Sequence, residues 1–428
     1  MKPLARHPVA SEAKNGPDDE MCQLVPRIKA AGQELHRAIQ AVMGAVQANS
    51  RSAREFARTL KVHPTLASRL LKAGRTDDPL AAIHRMPRGE GLRMFLEAAK
   101  PTVAAAAIAR AEDALVRLEE LVHGELGGWD GLEAAITEWL PDARAKFELA
   151  NKHLVFKGMA NIMGVRSDTQ ADTAIWYPDA TGERCDIAIL EGMVNLRRLR
   201  PSVRVPVTVH IPHQHAPRPL PYEMQGLPAE NATDVYPLLK PFCSTPLPAL
   251  EAVKMGENTT YMLAGNDIGE NSGIDVFTAT VARRARSLYR DSGAPPVRPS
   301  WSAGVNLPAK TLLINLLLHE DIWPEAEPQL MMYDMHVRGV SLPDDPSREL
   351  DRLDVAESLQ SLGKGVERFR ASEVGRQVEM IQYLCERLGW DFRRLRGYRV
   401  RVQYPLTNAQ YCIAFPPAPL RGANVGER

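Results

Sequence analysis

Apolar residues recur at helical spacing through the first third of the chain, and the first such run begins near Val25. Ile28, Leu35, Ile39, Val42, Met43 and Val46 fall three, four or seven positions apart, the signature of an amphipathic helix with one buried stripe. Residues 1–24 show no periodicity and are polar with three prolines, so they read as a flexible arm. Ser50 or Ser52 can cap a helix through Arg54–Leu60, and Pro64 suits the first turn of the next, where its missing amide hydrogen has no intrahelical use. Further helical patterns follow over Glu90–Ala99, over Val103–His123 with Leu115, Leu118 and Val122 on one side, and from Leu132 to about Met163, broken or kinked at Pro141.

Beyond Gly164 short apolar or alternating segments replace these long stripes, and prolines crowd the stretch from Pro201 to Pro248. Strands are expected at Thr173–Tyr177, Val203–Ile211, Thr259–Ala264, Thr311–Leu318, Leu330–His336, Tyr398–Tyr404 and Gln410–Phe415, with a final hairpin turning at Thr407 and Asn408. Helices are expected near Phe277–Tyr289 and Ala371–Leu388. The expected fold class is therefore multidomain, an all-α helix-turn-helix region followed by an α+β domain. Its divisions are the arm 1–24, a helix-turn-helix domain 25–100, a helical linker or dimerisation region 101–163, and an α+β sensing or partner-binding domain 164–428.

Net charge adds little over the whole chain, at +1, but its distribution is informative. From Arg51 to Arg75 there are seven basic residues against one acid, Glu55, whereas 105–150 carries ten acids against four basic side chains. A compact basic segment lying on a helix pair is the electrostatic footprint of phosphate binding. The five cysteines are scattered and form no C-x-x-C pair, so neither a zinc knuckle nor a disulfide framework is expected. No apolar run approaches the roughly 18 residues that a membrane span needs, and the N-terminus lacks a signal-peptide pattern. These features together suggest a cytoplasmic protein that makes no membrane contact.

The segment SAREFARTLKVHPTLASRLL, residues 52–71, resembles the helix-turn-helix of bacterial transcriptional regulators, especially the lactose-repressor type. Ala57 supplies the small residue where the two helices meet, and Phe56, Leu60, Val62, Ala67 and Leu70 hold them together. The resemblance implies a second helix whose outer face enters the major groove of double-stranded DNA. It further implies that Thr65, Ser68 and Arg69 face base edges or nearby phosphates, and that Arg51, Arg54, Lys61, His63, Lys72 and Arg75 flank them. One departure is Lys61, which stands where the family usually has a glycine because the turn favours positive φ. Pairing of two half-sites implies a homodimer, for which the stripe of Leu115, Leu118 and Val122 is a candidate contact, with packing inside one chain the equal alternative.

Other constellations carry less. His210, His213 and His215 lie in a proline-bounded loop with no nearby acid, and His319, Glu320 and Asp321 close an apolar run; the expectation is an exposed loop and a solvated strand end, with no metal. Asp344, Asp345 and the stretch Asp351–Asp354 read as an exposed mixed-charge loop, and Gly363 to Gly365 is too short for a phosphate cradle. With no P-loop, nucleophile elbow or HExxH motif, no enzymatic activity and no cofactor are expected. The competing class is a protein-interaction or scaffold protein whose helix pair is structural, with an unknown ligand or protein partner on the C-terminal domain. A third is an enzyme fused to a DNA-targeting head, resting only on the histidine-rich loop and His319.

Overall fold

In the computed structural model the described residues are 17–47, 53–137, 140–210, 224–226, 238–265, 267–269, 272–354 and 356–422. They divide into two units, 1–147 and 148–428. The stripe from Ile28 to Val46 is buried along α1 (Pro17–Gln47), and five short helices follow it: α2 (Ala53–Leu60), α3 (Pro64–Gly74), α4 (Pro79–Arg85), α5 (Gly89–Ala99) and, after the longer α6 (Ala105–Glu125), α7 (Trp129–Thr137). Prolines open α3 and α4, and Pro141 opens α8 (Pro141–Met163), so the break expected there is a helix start. Helix α1 begins at Pro17, inside the segment expected to be an arm; residues 1–16 lie outside the described ones.

One core runs through the first unit from Ile28 to Ile136. Leu115, Leu118 and Val122 are 2%, 0% and 0% exposed within it, so the stripe offered as a dimer contact is covered by the unit's own helices. The residues expected to form a linker therefore belong, as far as Ile136, to the same packed body as the helix pair. Ion pairs Arg27–Glu125 and Arg117–Glu34 tie α6 to α1 at its rim.

The domain expected to be α+β is, beyond α8, a large mixed-sheet domain, with α9 (Gln377–Leu388) the single α-helix among its described residues. Its strands are β1 (Val165–Pro178), β2 (Arg184–Arg198), β3 (Pro206–His210), β4 (Met224–Gly226), β5 (Leu250–Met255), β6 (Asn258–Leu263), β7 (Ile274–Ser287), β8 (Ser300–Gly304), β9 (Ala309–His319), β10 (Gln329–Asp334), β11 (Leu359–Lys364), β12 (Leu395–Gln403) and β13 (Ala409–Ala414). The main sheet has seven strands in the order β11-β12-β9-β1-β2-β7-β4, and two three-stranded sheets run β10-β13-β8 and β3-β6-β5. All main-sheet pairs are antiparallel except β1 with β9.

Alternation along the strands gives this sheet two buried faces. Trp176, Ile187, Leu316 and Val400 point to one face and pack with Tyr411, Ile413 and Phe415 from β13 and its flank. Ile175, Leu190, Phe277, Leu313 and Leu317 point to the other and meet Met380, Ile381 and Leu384 of α9. Phe277–Tyr289, expected as a helix, is largely strand β7: a strand buried on both faces reads as an apolar run without period two. The expected hairpin at Thr407 and Asn408 also fails, because β12 pairs with β9 and β11 while β13 pairs with β10 and β8. Tyr404 and Asn408, at φ 49° and 65°, turn the chain from one sheet to the other.

Candidate nucleic-acid interface

Helix α2 buries Phe56, Ala57 and Leu60, which leaves Arg54 and Arg58 on its solvent side. Its carbonyl end closes with a reciprocal pair of bonds, Lys61 N–H to the Arg58 carbonyl at 3.3 Å and Val62 N–H to the Ala57 carbonyl at 3.0 Å. That closure requires a left-handed residue at Lys61, and its φ is 54°. The turn occupies the place where the resembling family has glycine, with a lysine in the glycine conformation. His63 then caps α3, its Nδ1 accepting the Thr65 amide at 3.3 Å, and Pro64 takes the first helical position.

Ala67, Leu70 and Ala73 turn inward from α3, while Val62 packs partly buried against the same core. The outer face carries the residues expected to meet nucleic acid: Thr65, Arg69 and Lys72 are exposed, as are His63, Lys61, Arg54 and Arg75, and Ser68 is half-buried between them. Arg51, Ser50 and Ser52 lie outside the described residues. Arg58, absent from the expected contact set, is exposed beside Arg54, and the local charge count was the signal that could have included it.

Among the described residues Arg54, Arg58, Lys61, Arg69, Lys72 and Arg75 form no ion pair, nor do Lys29, Arg37, Arg85 and Arg110 elsewhere on the unit, whereas Arg27, Arg88, Arg93, Lys100 and Arg117 each hold a carboxylate. A groove of about 360 Å³ between α1 and α6 carries Glu34 and Asp113 beside Arg37 and Arg117, a mixed-sign rim that suits phosphate poorly. Near the helix pair, burial lowers the pKa of His84; Glu133 opposes this, and the charges of Lys146, Arg69 and Arg85 add to it. His84 therefore adds no charge to this field near neutral pH.

In the second unit the described candidate groups are engaged within the fold. His319 is buried edge-on against Tyr177, with ring centroids 4.6 Å apart, and its Nδ1 accepts the Asp321 amide at 3.3 Å. Glu320 accepts from Arg394 at 2.8 Å and Lys364 at 2.9 Å, which hold its carboxyl down to about 2, and Asp321 accepts from Arg394 at 2.8 Å. These charges neutralise one another at a strand end. His213 and His215 lie outside the described residues, and among the described ones no group of three or more histidines, cysteines or acids is placed to hold a metal. The mixed-charge loop is not uniformly exposed: Arg348 is buried, donates to the carbonyls of Asp334, Arg338, Gly339 and Val340, and pairs with Asp351 at 2.6 Å.

A feature the sequence reading missed lies between β1 and β2. Asp172 and Glu191 are directly opposite each other and line a pit of about 20 Å³ with Gln170 and Thr278. Asp172 is buried and accepts from Trp301 Nε1 at 2.7 Å; Glu191 is exposed. Burial raises the Asp172 carboxyl pKa, and the charge of Glu191 raises it further. Only the register of the sheet brings the two together, so spacing in the sequence gives no sign of them.

No helix among the described residues is long and apolar enough to cross a membrane. Comparison with known protein families, with curated proteins and with solved structures gives no match to this chain.

Proposed function

We propose that α2, its turn and α3 form a helix-turn-helix that binds double-stranded DNA, and that the chain is a DNA-binding transcriptional regulator. The observation that carries this reading is the set of six exposed basic side chains on α2, its turn, α3 and the residue after it that have no acidic partner among the described residues. Exposed cations can replace condensed counterions along a duplex, and each phosphate neutralised adds about −0.9 to the slope of log K against log salt. In this reading Thr65, Ser68 and Arg69 meet base edges, and Arg54, Arg58, Lys61, His63, Lys72 and Arg75 meet the backbone. The mixed-sheet unit is the sensing or oligomerising part, and a homodimer reads two half-sites through a surface other than Leu115, Leu118 and Val122.

The test is fluorescence anisotropy of the full chain with random duplex DNA across a salt series, followed by selection of a preferred site. Arg69→Ala should cost about 1–3 kcal/mol on the selected site, and Lys72→Ala should weaken all sequences alike. Absence of binding at low salt, or equal effects of both changes on selected and random DNA, refutes the reading or the assigned roles respectively. A second reading, a protein-interaction scaffold, draws on the loop tied down by Arg348, where Val337 and Leu350 are 84% and 88% exposed.

A further inference from the structure

The buried face of α3 is built from Ala67, Leu70 and Ala73, with Leu66 and Leu71 packed partly buried beside it and Gly74 at its end. The small residues Ala67, Ala73 and Gly74 let α3 approach its neighbours closely, and hydrogen bonds add the directional component that apolar packing lacks. Directional bonds add to that packing, and they reach α3 at its carbonyl end, where the last carbonyls have no partner in the helix's own ladder and the Ala73 carbonyl accepts the Thr76 amide at 3.1 Å. Two side chains from one face of α1 supply them. His36 Nε2 lies 3.1 Å from the Ala73 carbonyl, and Gln40 Nε2 donates to the Gly74 carbonyl at 2.9 Å.

His36 is 6% exposed, and burial lowers its pKa against the opposing effects of the Ala73 bond and Asp77, so the ring is a neutral single donor near pH 7. A third bond, Thr76 Oγ1 to the Lys72 carbonyl at 2.9 Å, completes the end of the helix from its own chain. At the other end the turn at Lys61 and the His63 cap fix where α3 begins. The helix is thus pinned at both ends, and only the carbonyl-end pins come from a different helix.

We propose that His36 and Gln40 are positioning residues for nucleic-acid recognition: they touch no DNA but set the rotation of α3, and so the aim of Thr65, Ser68 and Arg69. This rests on the reading of α3 as the recognition helix. Misaiming a helix spoils base contacts, which need fixed geometry, more than phosphate contacts, which flexible arginines and lysines can re-form. The signature is lost discrimination with retained salt dependence.

The experiment uses the full chain with the duplex selected above and with random duplex. His36→Leu keeps bulk and removes the donor, His36→Gln returns a donor near Nε2, and Gln40→Leu removes the second pin at an exposed site where folding is not at risk. We expect His36→Leu and Gln40→Leu each to reduce the ratio of selected to random affinity about tenfold, with the salt slope unchanged, and His36→Gln to restore most of it. An unchanged ratio in a folded Gln40→Leu protein, or equal losses on both duplexes, overturns the proposal while leaving DNA binding intact. Failure of the wild-type chain to bind any duplex overturns the reading of α3 itself, and this inference with it.

Discussion

Lys61→Gly separates two consequences of one residue. At φ 54° a side chain with a Cβ is held where L-residues lose roughly 1–2 kcal/mol, and glycine removes that cost. Glycine also has more conformational freedom to lose on folding, roughly 0.5–1 kcal/mol, so the net stabilisation is about 0.5–1 kcal/mol. Nothing else described in the turn opposes the gain: Lys61 is exposed and has no ion pair among the described residues, and the bonds from its own amide and that of Val62 are backbone bonds that glycine retains. For a unit of this size the midpoint of thermal unfolding should rise by about 1–4 °C. The same change deletes a cation from the proposed interface, so the salt slope of DNA binding should become shallower by about 0.9. Lys61→Ala is the control, because it removes the charge and keeps the strain. Calorimetry should place Lys61→Gly above both Lys61→Ala and the wild type, while anisotropy gives the two variants the same reduced slope. A glycine variant no more stable than the alanine one would falsify the strained turn, and an unchanged slope would remove Lys61 from the interface.

Leu118→Ala, at a fully buried site in the first unit, should cost about 2–5 kcal/mol in denaturant unfolding and leave the oligomeric state by light scattering unchanged; dissociation without lost stability would return this stripe to an intersubunit role. Gly192→Ala should destabilise the second unit by about 1–3 kcal/mol, since the added Cβ would overlap the buried Phe277 ring across the sheet; a neutral effect on melting would contradict the packing of β2 on β7. Asp172→Asn tests the carboxyl pair. A folded-state pKa raised above the unfolded value means stability present below the ordinary carboxyl range near 3.8 and lost as pH rises through the raised value, so the wild type should melt lower as pH increases. The variant keeps an acceptor for Trp301 and should melt higher near neutral pH with a flatter profile; coincident wild-type and variant profiles from pH 5 to 8 would show that the pair is not strained by charge.

The sequence alone determined the features whose causes are local. The stripe of α1, the pair α2 and α3, the start at Pro64 and the break at Pro141 follow from spacing, capping and the missing proline amide, each felt within a few residues. The basic surface was legible for the same reason, because its charges are adjacent in the chain. Even the conformation of Lys61 was anticipated, from the glycine its position usually holds. Tertiary structure decided what depends on partners far away. The apolar side of Leu115, Leu118 and Val122 was visible, but only packing against the other helices of the first unit settled that nothing else needs to cover it. β7 was misread because burial on both faces erases the alternation that marks a strand, and β12 and β13 part company because sheet pairing, unlike a turn, is chosen by the whole sheet. His36 and Gln40 looked like polar residues on a helix until the carbonyl end of α3, 37 and 34 positions along the chain, was laid against them. Hydrophobic period and turn chemistry act over one or two turns, whereas register, sheet membership and helix-to-helix hydrogen bonds arise only when distant segments compete for the same buried surface.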